Sequence, residues 1–158
     1  MSNNTQLAQL NDLLKSQNAD YSILTDDFSI EKAEEGAKHY GISLSETTPT
    51  LILKTKEKYF AAIICGNSRI AFKKLKQALG IKDISLADPH TVLQITGANV
   101  GEVSLINIGL TTIVDKNVLM NKNCYGGCGV PKTTLRINTH DLVRISGAQI
   151  LEFTEPRS

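Results

Sequence analysis

Two glycine-bearing stretches hold the residues whose types and spacing could do chemistry: Gly97-Ala-Asn-Val-Gly-Glu-Val-Ser104 and Gly126-Gly-Cys-Gly129. Glycine has no Cβ to block close approach to the main chain, and it accepts positive φ. Such loops turn sharply and can aim several N–H groups into one hollow. An amide-lined hollow holds a carbonyl oxygen or a phosphate without any catalytic side chain. The stretches therefore predict a site built mainly from backbone.

The side chains nearby offer sharper and plainer readings. Glu102 could select a cationic substrate group or assist a water, and its plain alternative is a solvated carboxylate. Ser104 as a nucleophile would need a base held beside it, and no Gly-x-Ser-x-Gly context supplies one, so a hydrogen-bonding role is favoured. Cys124 and Cys128, with Cys65 and one of His39, His90 or His140, make a poor zinc set because the tight C-x-x-C pairing is missing. No metal and no organic cofactor are expected. Lys73, Lys74 and Lys76 read as the wet face of a helix or as contacts to phosphates. Arg69, at a strand-to-helix junction after Gly66-Asn-Ser68, could meet a ligand or hold loop carbonyls.

The elements that must position these loops follow from periodicity and caps. Leu7, Leu10, Leu13 and Leu14 predict a helix over residues 5–17, and residues 21–24 a short strand. Ser29 is the expected cap of a helix with Ala33, Ala37 and Tyr40 inside and Gly41 at its end. Residues 50–55 and 59–65 read as a hairpin, the second strand apolar on both faces and therefore central. Phe72, Leu75 and Leu79 mark a helix stopped by Gly80. Asp88 and Pro89 open another, with Val92, Leu93 and Ile95 as its buried stripe and Gly97 at its end. Strand-like runs recur at 103–106, 111–114 and 133–137. A last helix spans about 138–146 before a strand at 150–153. The mixture lacks a regular βαβ rhythm, so the expected architecture is α/β of the α+β kind: a mixed sheet or partly open β-barrel with packed helices.

Bulk properties bound the function. The chain has 158 residues, 41% hydrophobic and 21% charged, with a formal net charge of +1. That fits one domain, residues 1–158, burying about two-thirds of its unfolded surface. No apolar run approaches the ~20 residues of a membrane helix, and the N-terminal residues do not resemble a secretion signal. Three cysteines cannot all pair in one chain, which suits a reducing, cytoplasmic setting. A near-neutral balance argues against a general grip on DNA or long RNA, and leaves open a reader of a single-stranded RNA end.

In order, these residues resemble the YbaK/prolyl-tRNA-synthetase-associated editing domain family of aminoacyl-tRNA deacylases. The resemblance covers roughly Tyr21 onward. It rests on Thr50-Leu-Ile-Leu53, Gly66-Asn-Ser-Arg-Ile70 with Phe72-Lys-Lys-Leu75, Gly97-x-x-x-Gly101-x-Val103-Ser104, Gly126-Gly-Cys-Gly129, Leu135 and Asp141-Leu142. It implies an open, barrel-like mixed domain whose pocket takes the aminoacylated 3′ end of a transfer RNA, with a synthetase as a further candidate partner.

The implied reaction is hydrolysis of the ester of a mischarged transfer RNA, a trans-editing deacylation. Water, the substrate's own ribose hydroxyl and loop amides would do the work, the amides stabilising charge on the carbonyl oxygen. Carried over residue by residue, the amides are those of Gly101, Glu102, Val103 and Ser104. Gly97 helps wall the pocket, while Gly126, Gly127, Cys128 and Gly129 form the facing loop, with Cys128 at the pocket edge.

Many members of the family it resembles have a lysine directly before the Thr-Leu strand, where this chain has Pro49. They also tend to have proline where it has Leu105, and an acidic residue where it has Ala71. Lys54, or Lys56, is the candidate replacement cation on the same strand. The alternative to an enzyme is a binding or regulatory protein of the same fold that recognises aminoacyl-tRNA or an amino-acid-like ligand, and Pro49 is the feature favouring it. A small redox or metal protein using Cys124 and Cys128 is a third reading.

Overall fold

The hairpin expected at residues 50–65 is the centre of the molecule. In the computed structural model, which describes residues 2–157, strand β2 (Thr50–Lys54) runs antiparallel to β3 (Tyr59–Ile63). Strand β6 (Thr111–Asp115) lies parallel on the other side of β3, followed by β9 (Gln149–Leu151), also parallel. A short β5 (Ser85–Leu86) completes a five-stranded mixed sheet in the order β5-β2-β3-β6-β9. β3 is central and buried because its residues are apolar at both alternating sets of positions. Ala62 and Ile64 face Phe60, Leu53, Leu75 and Phe153, while Ala61 faces Ile52, Val92, Ala98 and Val103.

A second sheet orders β1 (Tyr21–Thr25), β8 (Thr133–Asn138) and β7 (Asn123–Gly126), all antiparallel. Leu135 and Ile137 of β8 join the largest apolar cluster with Ile63, Cys65, Val114 and Leu142, and helix α1 (Asn3–Ser16) adds Leu10 and Leu14. A two-stranded piece pairs β4 (Ser68–Ile70) with β10 (Thr154–Pro156). The mixed α+β architecture is as expected, and none of the three sheets closes into a barrel.

Helices α2 (Ala33–Tyr40), α3 (Phe72–Leu79), α4 (Pro89–Thr96) and α5 (Thr139–Ser146) each end on a glycine in the left-handed conformation. Asp88 caps α4 as expected, its side chain accepting from Thr91 N at 2.8 Å. The C-terminal segment is tied down by Asp115. That buried carboxylate accepts from Phe153 N and Thr154 Oγ1, both at 2.9 Å, and from Asn117 N at 3.1 Å.

Several local expectations are corrected. Lys32, not Ser29, precedes α2, and it makes no side-chain cap. Leu93 is 44% exposed, because α4 is only two turns long and among its residues only Val92 is buried. Residues 103–106 make one isolated bridge, Ser104 to Gly127, rather than a strand. The expected strand at 150–153 breaks at Glu152 and Phe153, where Asp115 takes the Phe153 amide. Strand β7 escaped the sequence reading because Tyr125-Gly-Gly looks like a loop.

Candidate functional site

A cavity of ≈ 200 Å³ opens where the two sheets meet. Its walls are residues 47–51 leading into β2, residues 100–103, residues 125–127 at the end of β7, residues 133 and 134 of β8, and the segment 28–33 with α2. Both glycine stretches therefore contribute to one hollow. They also touch through the main chain. Leu105 N donates to Gly127 O and Gly129 N donates to Glu102 O, each at 3.0 Å.

Gly127 and Gly101 require glycine for different reasons. A Cβ on Gly127 would stand 2.3 Å from the Val103 carbonyl oxygen, so only a bare Cα lets the loops approach this closely. Gly101 has φ +91° with nothing within 4 Å of a Cβ. A side chain there is strained by the left-handed turn whatever the space beside it.

Loop amides differ in what they can still bind. Glu102 N already donates to Asn99 O at 2.9 Å, and Gly129 N to Glu102 O. Among the described residues, the amides of Gly101 and Val103 meet no acceptor within the protein, and both residues line the cavity. Glu102 also lines it, with its Oε1 accepting from Asn99 Nδ2 at 3.3 Å. Ser104 lies behind the wall, its hydroxyl accepting from Ile106 N at 3.1 Å and its carbonyl from Asn107 Nδ2.

The remaining candidates are dispersed. Gly97 ends α4 with φ +75° and is not part of the cavity lining. Cys128 is 4% exposed and packs in the main apolar cluster, and burial pushes its thiol up to about 11. Burial also raises Cys65, to about 11, and Cys124. Lys54 sits over a separate hollow with Lys56, Lys76 and Asp83. Arg69 Nε pairs with Glu155 Oε1 at 2.9 Å across β4 and β10. Pro49 stands in the cavity wall. Among the described residues, no three His, Cys, Asp or Glu side chains group as a metal site would require, and no helix is long and apolar enough to cross a membrane.

Sequence reasoning missed the opposite wall. Asp26, Phe28, Tyr40, Tyr125, Lys132 and Thr134 all line the cavity and come from four separate segments. Tyr40 was legible only as a core-facing ring at the end of α2. Burial, and then its hydrogen bond to Asp26, pushes the Tyr40 hydroxyl up to about 12. That same bond, followed by His39, holds Asp26 below the ordinary carboxylate value, against a desolvation effect that would raise it.

A mixed α+β scaffold with one amide-edged cavity at a sheet junction is the setting into which known proteins fit this chain. Residues 29–145 match the aminoacyl-tRNA editing domain, and the chain belongs to that family. Proline–tRNA ligase of Caldicellulosiruptor bescii is 29% identical over 130 residues, which are 82% of this chain and 22% of that protein. The chain thus spans about a fifth of the length of that curated relative. A crystal structure described as a hypothetical protein superposes with a TM-score of 0.86 at 27% identity, covering 93% of this chain and 99% of its own. Another, described as a putative trans-editing enzyme for prolyl tRNA synthetase, gives 0.82 at 19% identity, covering 98% and 99%, and shares the fold.

Proposed function

We propose that the protein is an aminoacyl-tRNA deacylase, hydrolysing the ester between a misattached amino acid and the terminal ribose of a transfer RNA. The observation that carries this reading is the convergence of Gly101 and Val103 on the cavity with amides that have no acceptor among the described residues. Membership of the aminoacyl-tRNA editing domain family supports it.

In the reaction, water attacks the ester carbonyl carbon and its oxygen becomes the new carboxyl oxygen. Charge builds on the carbonyl oxygen, and the Gly101 and Val103 amides stabilise it there more than in the ground state. The bond from carbonyl carbon to ribose oxygen then breaks, and the proton lost by water ends on that ribose oxygen. The products are a free amino acid and an uncharged 3′ end. Buried thiols with raised pKa values are poor nucleophiles, so Cys128 supports the cavity wall from behind rather than forming an acyl-enzyme. An apolar cavity discriminates only weakly per methylene, which is why a separate proofreading site is useful to a synthetase that makes small-amino-acid errors. A synthetase is accordingly the protein partner expected.

The test is a panel of mischarged transfer RNAs incubated with the purified protein. Time-dependent ester loss from at least one supports the enzyme, and loss from none rejects it. Pro49 favours a second reading, a binding module of the same fold, because a proline offers neither charge nor N–H to a phosphate. Saturable binding of charged transfer RNA without ester loss would select that reading. Restored turnover in Pro49→Lys would locate the deficit.

A further inference from the structure

Beyond the end of β1, the chain enters the cavity wall at Asp26, whose carboxylate is held from two sides. His39 Nε2 lies 2.8 Å from Oδ1, and the Tyr40 hydroxyl donates to Oδ2. Tyr40 Oη is also 3.0 Å from Thr134 Oγ1. The rings form a row, with Phe28 edge-on to His39 at 5.0 Å, His39 edge-on to Tyr40 at 4.8 Å, and Tyr40 stacked on Tyr125 at 6.0 Å. Asp26 N donates to Lys132 O at 2.9 Å, fixing the backbone as well.

This arrangement leaves a negative charge facing a cavity whose other charged lining residues are Glu31, Lys32, Glu102 and Lys132. The Asp26 side chain is 12% exposed, while that of His39 is 38% exposed. Tyr40 and Thr134 are neutral. Among the described residues, only His39 forms an ion pair with Asp26. An ionised carboxylate has about four acceptor positions, and these two side chains occupy two of them. The unused positions belong to a residue that lines the cavity. A cation entering with the ligand would complete the site, and an aminoacyl ester carries one, its α-ammonium, on the carbon next to the reacting carbonyl.

Resting on the deacylase reading, we propose that Asp26, braced by Tyr40 and His39, anchors the α-ammonium group of the ester-linked amino acid. The substrate class is thereby narrowed to esters with a free amino group. An N-acylated ester, such as the end of a peptidyl chain, lacks the charge and keeps only one N–H, so it desolvates Asp26 without bringing a counter-charge. Glu102, the carboxylate on the opposite wall, is the control, because a carboxylate on the glycine loop is the alternative anchor for the same cation.

Nonhydrolysable adenosine analogues bearing glycine, alanine or cysteine through a 3′ amide, each with a free and an acetylated amine, test this by calorimetry. Wild type is expected to bind at least one free-amine form about tenfold or more tighter than its acetylated partner. Asp26→Asn should bring that ratio near one, Tyr40→Phe should lower it, and Glu102→Gln should keep it. Equal binding of both forms by wild type, binding of neither, or a ratio lost only in Glu102→Gln overturns the proposal. So does a ratio unchanged in both Asp26→Asn and Tyr40→Phe. Hydrolysis is read separately: the expected ratios with no ester loss from any mischarged transfer RNA would leave the anchor standing and remove the deacylase reading.

Discussion

Gly127 and the Val103 carbonyl occupy space that a single additional carbon would contest. The oxygen sits 2.3 Å from where a Cβ on Gly127 would be, with Glu102 O at 2.8 Å. These are backbone atoms, so no rotamer change relieves the clash. Gly127→Ala must separate the two loops. A loss of about 1–3 kcal/mol is expected, the usual range for overpacking, together with loss of deacylation. Urea unfolding and ester hydrolysis measure the two, and an alanine variant with wild-type values for both would refute the shared wall.

Gly101 predicts a different balance. With φ +91° and open space beside it, Gly101→Ala meets strain but no clash. Left-handed backbone costs an L-residue about 1–2 kcal/mol. The stability loss should therefore be no larger than that of Gly127→Ala, with hydrolysis falling at least tenfold because the amides move. Gly101→Asn should retain more of both than Gly101→Val, since asparagine tolerates this region best. Equal losses in the two variants would contradict a conformational requirement.

Asp26 and Tyr40 give opposite pH signatures. The folded-state pKa of Asp26 is depressed from 3.8, so its contribution is present above that value and disappears as pH falls through the folded pKa. Tyr40 is raised from 10.0 to about 12, so its contribution is complete below pH 10 and fades as pH rises towards 12. Asp26→Asn should flatten the fall in stability below about pH 4, and Tyr40→Phe the fall above pH 10. Urea midpoints across pH measure both, and parallel curves for variant and wild type would contradict the assignment.

The thiols predict silence. Burial raises Cys65 and Cys128 to about 11 and raises Cys124 as well, so native protein at pH 7.5 should react slowly with a thiol-specific disulfide reagent, and all three should react after unfolding. Cys128→Ala should keep the hydrolysis rate within about threefold despite a stability loss of about 1 kcal/mol for the removed sulfur. Abolished turnover in a folded Cys128→Ala protein would restore the thiol as a participant.

Elements with strong local signals were legible. The apolar runs around Ala61 and Ile52 specify the central hairpin, and Gly41, Gly80 and Gly97 mark helix ends that the structure reproduces. Gly101 and Gly127 were legible as wall residues because glycine reports a backbone requirement directly. What escaped depends on tertiary neighbours. Nothing next to Asp26 in the sequence announces Tyr40, which reaches it from α2, or Thr134 of β8, which bonds Tyr40 in turn. Leu93 carries the same apolar pattern as Val92 yet remains exposed, because a two-turn helix has too little surface to bury both. Arg69 and Lys54 look free in the sequence, but folding sends one to Glu155 and the other to a different hollow.

Asp115 sets a limit on how far the polypeptide can be trimmed. The stretch matching the editing domain ends at residue 145, but two of the three donors to this interior anion, Phe153 N and Thr154 Oγ1, come after that point. Cutting there would strand a negative charge under β6, the strand that flanks the central hairpin. The minimal folding unit is therefore longer than the recognisable one, and its last turn of chain works as an internal counterweight rather than a dispensable tail.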